Sequence, residues 1–211
     1  MKKLAKSYPL QVFRHRCYIP FLNFIDYIKD IYRKVNTQKY IELESLGIDK
    51  KLGSRYESVS YSRLKEIFEF SFNKGFTSFL DIGCGLGRPL IVAGESGFVD
   101  LYGVDISSLL INQCYKHLKS NNLQADLKCS DVSAYNLPPG QLCIFLFNPF
   151  GEDKMKELFI KIAERNEETL VLYFNPKHFN SIDGRFKIND FRWKNFGLYE
   201  EKCFVYLIPS I

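Results

Sequence analysis

Apolar positions along this chain recur in two periods, and the change from one to the other divides it. From Phe21 the positions 21, 24, 25, 28 and 31 are apolar, a helix face of period near 3.6. A second amphipathic helix is predicted from Tyr56 to Lys74, with Leu64, Ile67, Phe68 and Phe72 on its apolar face and Gly75 as its stop. Between the two, residues 36–55 form a polar connector with a short helix. Beyond Gly75, short apolar runs alternate with helical segments. Strands are predicted at Ser78–Asp81, Asp100–Asp105, Ala125–Cys129, Leu142–Phe147 and Thr169–Phe174. Helices fall between them: from Pro89, a residue suited to a first turn, from Ser107 as N-cap, and over Glu152 to Arg165. Leu142–Phe147 is apolar throughout, as a parallel strand covered on both faces should be.

The tail changes character. Arg185–Lys194 and Phe196–Ile208 read as two longer strands joined near Asn195-Phe196-Gly197, an antiparallel pair because no helix-length segment separates them. The expected fold is α/β: a doubly wound, mostly parallel seven-stranded sheet with an antiparallel C-terminal hairpin. Its ligand should lie at the carboxyl ends of the strands. Residues 1–55 make a basic, mostly helical extension and residues 56–211 the main domain.

Composition narrows the class. Of 211 residues 46% are hydrophobic, enough for a packed core, so disorder is not the default. The six cysteines are scattered with no Cys-x-x-Cys pair, which fits a reducing, cytoplasmic compartment without structural zinc. His15 and His117 have no partners at metal-ligand spacing. No signal peptide is expected, and the apolar patches at 19–28 and 142–150 fall far short of the roughly 20 residues that span a bilayer. Residues 1–36 hold eight Lys/Arg against Asp26 and Asp30, so the basic excess of the whole chain sits there. Two readings of that segment stand side by side: a helix packed on the main domain, or an interfacial or nucleic-acid-binding arm.

The candidate chemistry centres on Phe79-Leu80-Asp81-Ile82-Gly83-Cys84-Gly85-Leu86-Gly87-Arg88-Pro89. A short strand runs into three alternate glycines and a helix start, a turn that lets a ligand lie against the backbone. A dinucleotide fingerprint needs Gly-x-Gly-x-x-Gly, and Arg88 stands where its third glycine belongs. Asp81 beside the loop suits a cationic ligand better than a pyrophosphate. Asp105 ends the next strand, where an acid can accept both hydrogen bonds of a ribose diol or simply cap the following helix. Asp131-Val132 follows the third strand and Asn148-Pro149-Phe150 the fourth. Asn175-Pro176 ends the fifth, and His178 follows it on a loop.

The stretch from Asp81 to Arg88 resembles motif I of the class I S-adenosylmethionine (SAM) methyltransferases, whose cofactor carries an ammonium and a sulfonium. With Tyr56 and Tyr61 ahead of it and Phe147-Asn148-Pro149-Phe150 after it, the chain is similar to a bacterial methyltransferase group of undefined substrate. The resemblance implies cofactor binding by Asp81, Gly83, Cys84, Gly85, Gly87, Arg88, Asp105, Ile106, Asp131, Val132 and Asn148. Asp105 would take the ribose, Asp131 the adenine amino group and Val132 the ring. Asn148-Pro149-Phe150 resembles the Asn/Asp-Pro-Pro-Tyr/Phe motif of amine methyltransferases with one proline missing. There the Asn carbonyl accepts from the target nitrogen and the ring stacks on the substrate. Asn148, Phe150 and Tyr61 are therefore the catalytic candidates, with no metal. The expected acceptor is a small-molecule or protein amine rather than nucleic acid. A methyltransferase fold kept as a binding scaffold and an NAD-type oxidoreductase are the alternatives.

Overall fold

The computed structural model describes residues 19–49, 53–178, 180, 182–195 and 199–210. Expectations for residues 1–18, and for the hairpin turn at residues 196–198, lie outside the described residues. Helix α1 (Ile19–Tyr32) opens the described chain, followed by a two-residue strand pair, β1 (Tyr40–Ile41) with β2 (Tyr56–Glu57). Then come α2 (Tyr61–Phe72), β3 (Ser78–Ile82), α3 (Arg88–Glu95), β4 (Asp100–Asp105), α4 (Ser108–Ser120) and β5 (Asp126–Cys129). The rest is β6 (Leu142–Leu146), α5 (Glu152–Ala163), β7 (Thr169–Phe174), β8 (Lys187–Asn195) and β9 (Tyr199–Ile208). Several predicted ends move by one or two residues, and one start moves further: Tyr56 is not in the second helix but in β2, and that helix starts after Ser60.

The main sheet has seven strands in the order β5-β4-β3-β6-β7-β9-β8, as expected of a doubly wound fold with a C-terminal hairpin. Strands β5, β4, β3, β6 and β7 run parallel, and β9 lies antiparallel between β7 and β8. Alternation along each strand sends successive side chains to opposite faces. Phe79, Phe145 and Leu172 pack in one core with Leu64, Ile67 and Phe68 of α2. Leu80, Ile144 and Val171 pack in the other with Met155, Leu158 and Ile162 of α5. Phe68 anchors the first core edge-on to Phe79 and Phe145, at centroid distances of 4.8 and 5.4 Å. The order reverses between β3 and β6, which opens a crevice at their carboxyl ends.

Helix α1 is packed inside out. It buries Asp26 and Asp30 against the domain and leaves its apolar face outside. The cause is Arg88, the first residue of α3, which is 1% exposed. Its guanidinium meets Asp26 Oδ2 at 3.0 Å and Asp30 Oδ1 at 3.3 Å. It also donates to Thr37 Oγ1 at 2.7 Å and to the Val59 carbonyl at 3.0 Å, and it lies over the Tyr61 ring. Asp30 in turn accepts from the backbone N–H groups of Thr37 and Gln38 and from the Tyr61 hydroxyl. At the far end of α3, Glu95 takes a two-pronged bond from Arg33 just past the end of α1, both contacts at 2.7 Å. The extension therefore clamps α3 at both ends.

Burial raises the Asp26 carboxyl above its ordinary range even against the pull of Arg88. Breaking a buried charge network by removing one member leaves the others uncompensated. Arg88→Ala is therefore expected to lower the unfolding free energy by about 3–5 kcal/mol in chemical denaturation. A loss below about 1 kcal/mol, the range of an exposed pair, would contradict the assignment.

Candidate functional site

The glycine turn between β3 and α3 is held by β4: Gly83 and Cys84 donate to the Val104 carbonyl at 2.8 and 3.1 Å. Gly83, Gly85 and Gly87 all have positive φ (81°, 51° and 83°), a path that side chains oppose. Gly85 is also needed for space, since a Cβ there would lie 2.2 Å from the Tyr56 ring. Tyr56 is in turn fixed by its hydroxyl, which donates to the Thr37 carbonyl at 2.8 Å.

A cavity of about 510 Å³ opens at the carboxyl ends of the parallel strands, a size suited to a small-molecule ligand. Gly83, Asp105, Ile106, Asp131, Val132, Asn148 and Phe150 line it, and so does Asn175 of the second Asn-Pro. A small recess beside it holds Asp81 and Cys84. Tyr61, Gly85, Gly87, Arg88 and His178 do not line the cavity. Arg88 and Tyr61 are committed to α1 as described above, because a buried guanidinium needs its carboxylates there. The His178 backbone N–H instead donates to the Tyr173 hydroxyl.

Asp81 is buried, and its Oδ2 has no hydrogen-bond partner among the described residues. Burial, reinforced by the nearby charge of Asp105, pushes its carboxyl well above the usual range. Such an oxygen is costly unless something donates to it. Asp105 accepts from the Gly85 N–H at 2.9 Å through one oxygen and from the Ser107 N–H at 2.8 Å through the other. Burial raises it too, with those N–H groups opposing. Ser107 caps α4 as expected, its side chain accepting from Leu110. A carboxylate oxygen offers two lone pairs, so Asp105 retains acceptor capacity toward the cavity. The Cys84 thiol is raised by its hydrogen bond to Cys114 and by burial, which leaves it un-ionised.

Two predicted acceptors are already engaged. Asp131 Oδ2 is bound by Lys154 Nζ at 2.5 Å, and this contact holds its carboxyl below the usual range. Asn148 Oδ1 accepts from the Tyr173 hydroxyl at 2.9 Å and from the Lys177 N–H at 3.0 Å, while its Nδ2 donates to the Asn175 carbonyl. Its side chain thus braces the ends of β6 and β7. Asn148 and Asn175 have φ of 45° and 43°, the left-handed region that asparagine tolerates. Phe150 is buried in the second core, with its ring on the cavity wall.

Sequence reasoning missed the segment that closes the cavity. Gly53, Ser54, Arg55, Glu57 and Val59 all line it. The Ser54 N–H donates to the Pro149 carbonyl at 2.9 Å, and a Cβ at Gly53 would press on that same carbonyl at 3.2 Å. No periodicity marks a segment held by main-chain bonds. A signal did exist for the clamp: Asp26 and Asp30, four apart on a helix whose other residues are apolar save Asn23 and Lys29, occupy one face.

The donor set fits a nucleoside with a cationic amino-acid arm: an orphaned buried carboxylate at Asp81, a second at Asp105 and a glycine turn between them. The fold is that of the SAM-dependent methyltransferases. Residues 79–165 match the family described as Methyltransferase domain. Magnesium protoporphyrin IX methyltransferase from Synechocystis PCC 6803, solved with bound SAM, shares the fold at a TM-score of 0.56 and 14% identity, over 71% of this chain and 79% of that one. An RNA methyltransferase from Salinibacter ruber, solved with S-adenosyl-L-homocysteine, does so at 0.50 and 16%, over 72% and 91%. No match was found among curated proteins.

Three outcomes follow from the carboxylates. A folded-state pKa raised above the unfolded one contributes stability at low pH that is lost as pH rises from the ordinary carboxylate range toward the folded value. Asp81→Asn removes that dependence, so the ligand-free variant should be the more stable protein at pH 8 and gain little at pH 4, measured by thermal melting. The same variant should bind S-adenosylhomocysteine about 10-fold to 100-fold more weakly, the worth of one charged hydrogen bond. Lys154→Ala should act the opposite way. Freeing Asp131 from a partly exposed pair worth about 0.2–1 kcal/mol should tighten binding by up to about fivefold in calorimetry, and a marked weakening would show that Lys154 itself holds the ligand.

Proposed function

We propose that this chain moves a methyl group from SAM to a nitrogen of a small-molecule or protein amine held between the segment 53–59 and the Asn148-Pro149-Phe150 turn. The observation that carries the proposal is the buried Asp81 oxygen without a partner, across the glycine turn from Asp105. In this reading Asp81 faces the cationic amino-acid arm, Asp105 and Ile106 hold the ribose, and Asp131 and Val132 take the adenine. Gly83, Cys84, Gly85 and Gly87 shape the turn, and Arg88 acts from behind it by fixing the start of α3.

The bound cofactor supplies an already activated methyl, so the protein's task is orientation rather than strong base catalysis. Asn148 Oδ1 is engaged by Tyr173 and Lys177 and the Pro149 carbonyl by Ser54, which leaves the Asn148 main-chain carbonyl to accept from the amine. Its lone pair is then free to meet the methyl in line. The rings of Tyr56, Phe147, Phe150 and Phe174 on the cavity wall favour a planar acceptor or one with an apolar body.

Calorimetric titration with S-adenosylhomocysteine tests the cofactor assignment. Wild type should bind in the micromolar range, and Asp105→Ala should lose about 100-fold or more because both ribose bonds go. Asp105→Asn, which keeps one acceptor and the shape, should fall between. Absence of binding by folded wild type would move the chain to a scaffold role. A methyl-transfer screen over amines, phenols and RNA then decides the acceptor, and turnover of phenols alone would refute nitrogen.

A further inference from the structure

The connector that carries Asp131 and Val132 has no regular structure of its own. Residues 130–141 join β5 to β6 without helix or strand, so their carbonyls and N–H groups need partners from elsewhere. Val132 and Tyr135 hold its apolar side, buried in the second core with Met155, Leu158 and Ile162 of α5. The polar side is held by the same helix. Lys154, Glu157 and Lys161 fall within an arc of about 60° on α5, and all three reach the connector. Arg165, just past the end of the helix, continues the row and donates to the Pro138 and Gly140 carbonyls at 2.5 and 2.6 Å.

Lys161 commits every donor it has to this segment. An ammonium carries three N–H groups and no acceptor. Its Nζ meets the carbonyls of Val132 at 3.5 Å, of Ser133 at 3.2 Å and of Tyr135. These carbonyls are thereby turned to one point, which fixes the main chain immediately after Asp131. The Asp131 carboxylate depends on that path, because its Oδ1 accepts from the Ser133 N–H at 3.0 Å. Lys154 lines the cavity and grips the other carboxylate oxygen, whereas Lys161 does not line it. Two lysines two turns apart on one helix thus act differently on one acid. The first claims its oxygen, and the second sets where it points.

We propose that Lys161 is a positioning residue for base recognition, holding residues 132–135 so that the Asp131 carboxylate singles out a 6-aminopurine at the cavity. The proposal rests on the assignment of Asp131 to the adenine amino group. A purine with a carbonyl in place of that amino group presents an acceptor where the carboxylate needs a donor, and a correctly placed Asp131 rejects it.

Calorimetric titration of the full chain with S-adenosylhomocysteine and with S-inosylhomocysteine tests this, since the purine amino group of the first is a carbonyl in the second. Wild type should favour the adenosyl ligand by about 10-fold to 100-fold. Lys161→Met keeps the aliphatic stem and removes the three donors. It should narrow the preference to within about threefold, by weakening the adenosyl ligand and leaving the inosyl one nearly unchanged. Ser133 is exposed and its carbonyl can turn to water, so the variant should stay folded. Lys161→Gln, with two N–H groups on a shorter side chain, should show an intermediate preference, and it decides the matter if the methionine variant does not fold. A preference unchanged in the folded variants overturns the proposal. So does an equal loss of affinity for both ligands, the mark of a merely structural role. Wild type that binds both ligands alike removes the adenine assignment and the proposal with it, while the cofactor site stands. Wild type that binds neither overturns the proposal together with the methyl-transfer reading.

Discussion

A single buried guanidinium organises this molecule. Arg88 stands immediately after the third glycine of the turn, at the first position of α3, and it is met by two carboxylates of a helix 58 and 62 residues earlier. An arginine cannot shed its charge, so burial at this position obliges the chain to bring acids to it. Helix α1 does so at the expense of its own apolar face. Thr37, Val59 and Tyr61 complete the coordination, and the same contacts place residues 53–59 over the crevice. The geometry of the cavity thus depends on an interaction that does not touch the cavity.

This arrangement explains why the glycine pattern departs from the dinucleotide type. A third glycine at position 88 would let α3 approach its neighbours closely. An arginine there reaches away from the turn and recruits another element. The glycines that remain serve the turn itself, and Gly85 does so by admitting the Tyr56 ring. The buried and incompletely partnered Asp81 then carries an electrostatic cost beside the site that a cationic ligand would relieve.

Much of the fold was legible in the sequence because it rests on local periodicity. The strands Asp100–Asp105 and Thr169–Phe174 are found where their apolar runs lie, and Ser107 caps its helix. The cavity-lining positions Asp105, Asp131 and Asn148 follow from their place at or just beyond strand ends. What the sequence hid was the outcome of competition. Asn148 carries the right group, but Tyr173 and Lys177 claim its oxygen, and Lys154 claims Asp131. Arg88 closes the motif and Tyr61 precedes it by 20 residues, yet both turn their side chains to α1. Pairings between residues tens of positions apart leave no periodic trace, and Tyr56 joined a strand because its partner Ile41 lies outside any local window.

The most direct measurement is a crystal structure of the full chain grown with S-adenosylhomocysteine. The amino group should lie within hydrogen-bond reach of Asp81 Oδ2, the ribose hydroxyls on Asp105, Lys154 drawn off Asp131, and Arg88 unmoved between Asp26 and Asp30. Ligand density that leaves Asp81 without a partner, or that requires Arg88 to leave its carboxylates, would contradict this arrangement.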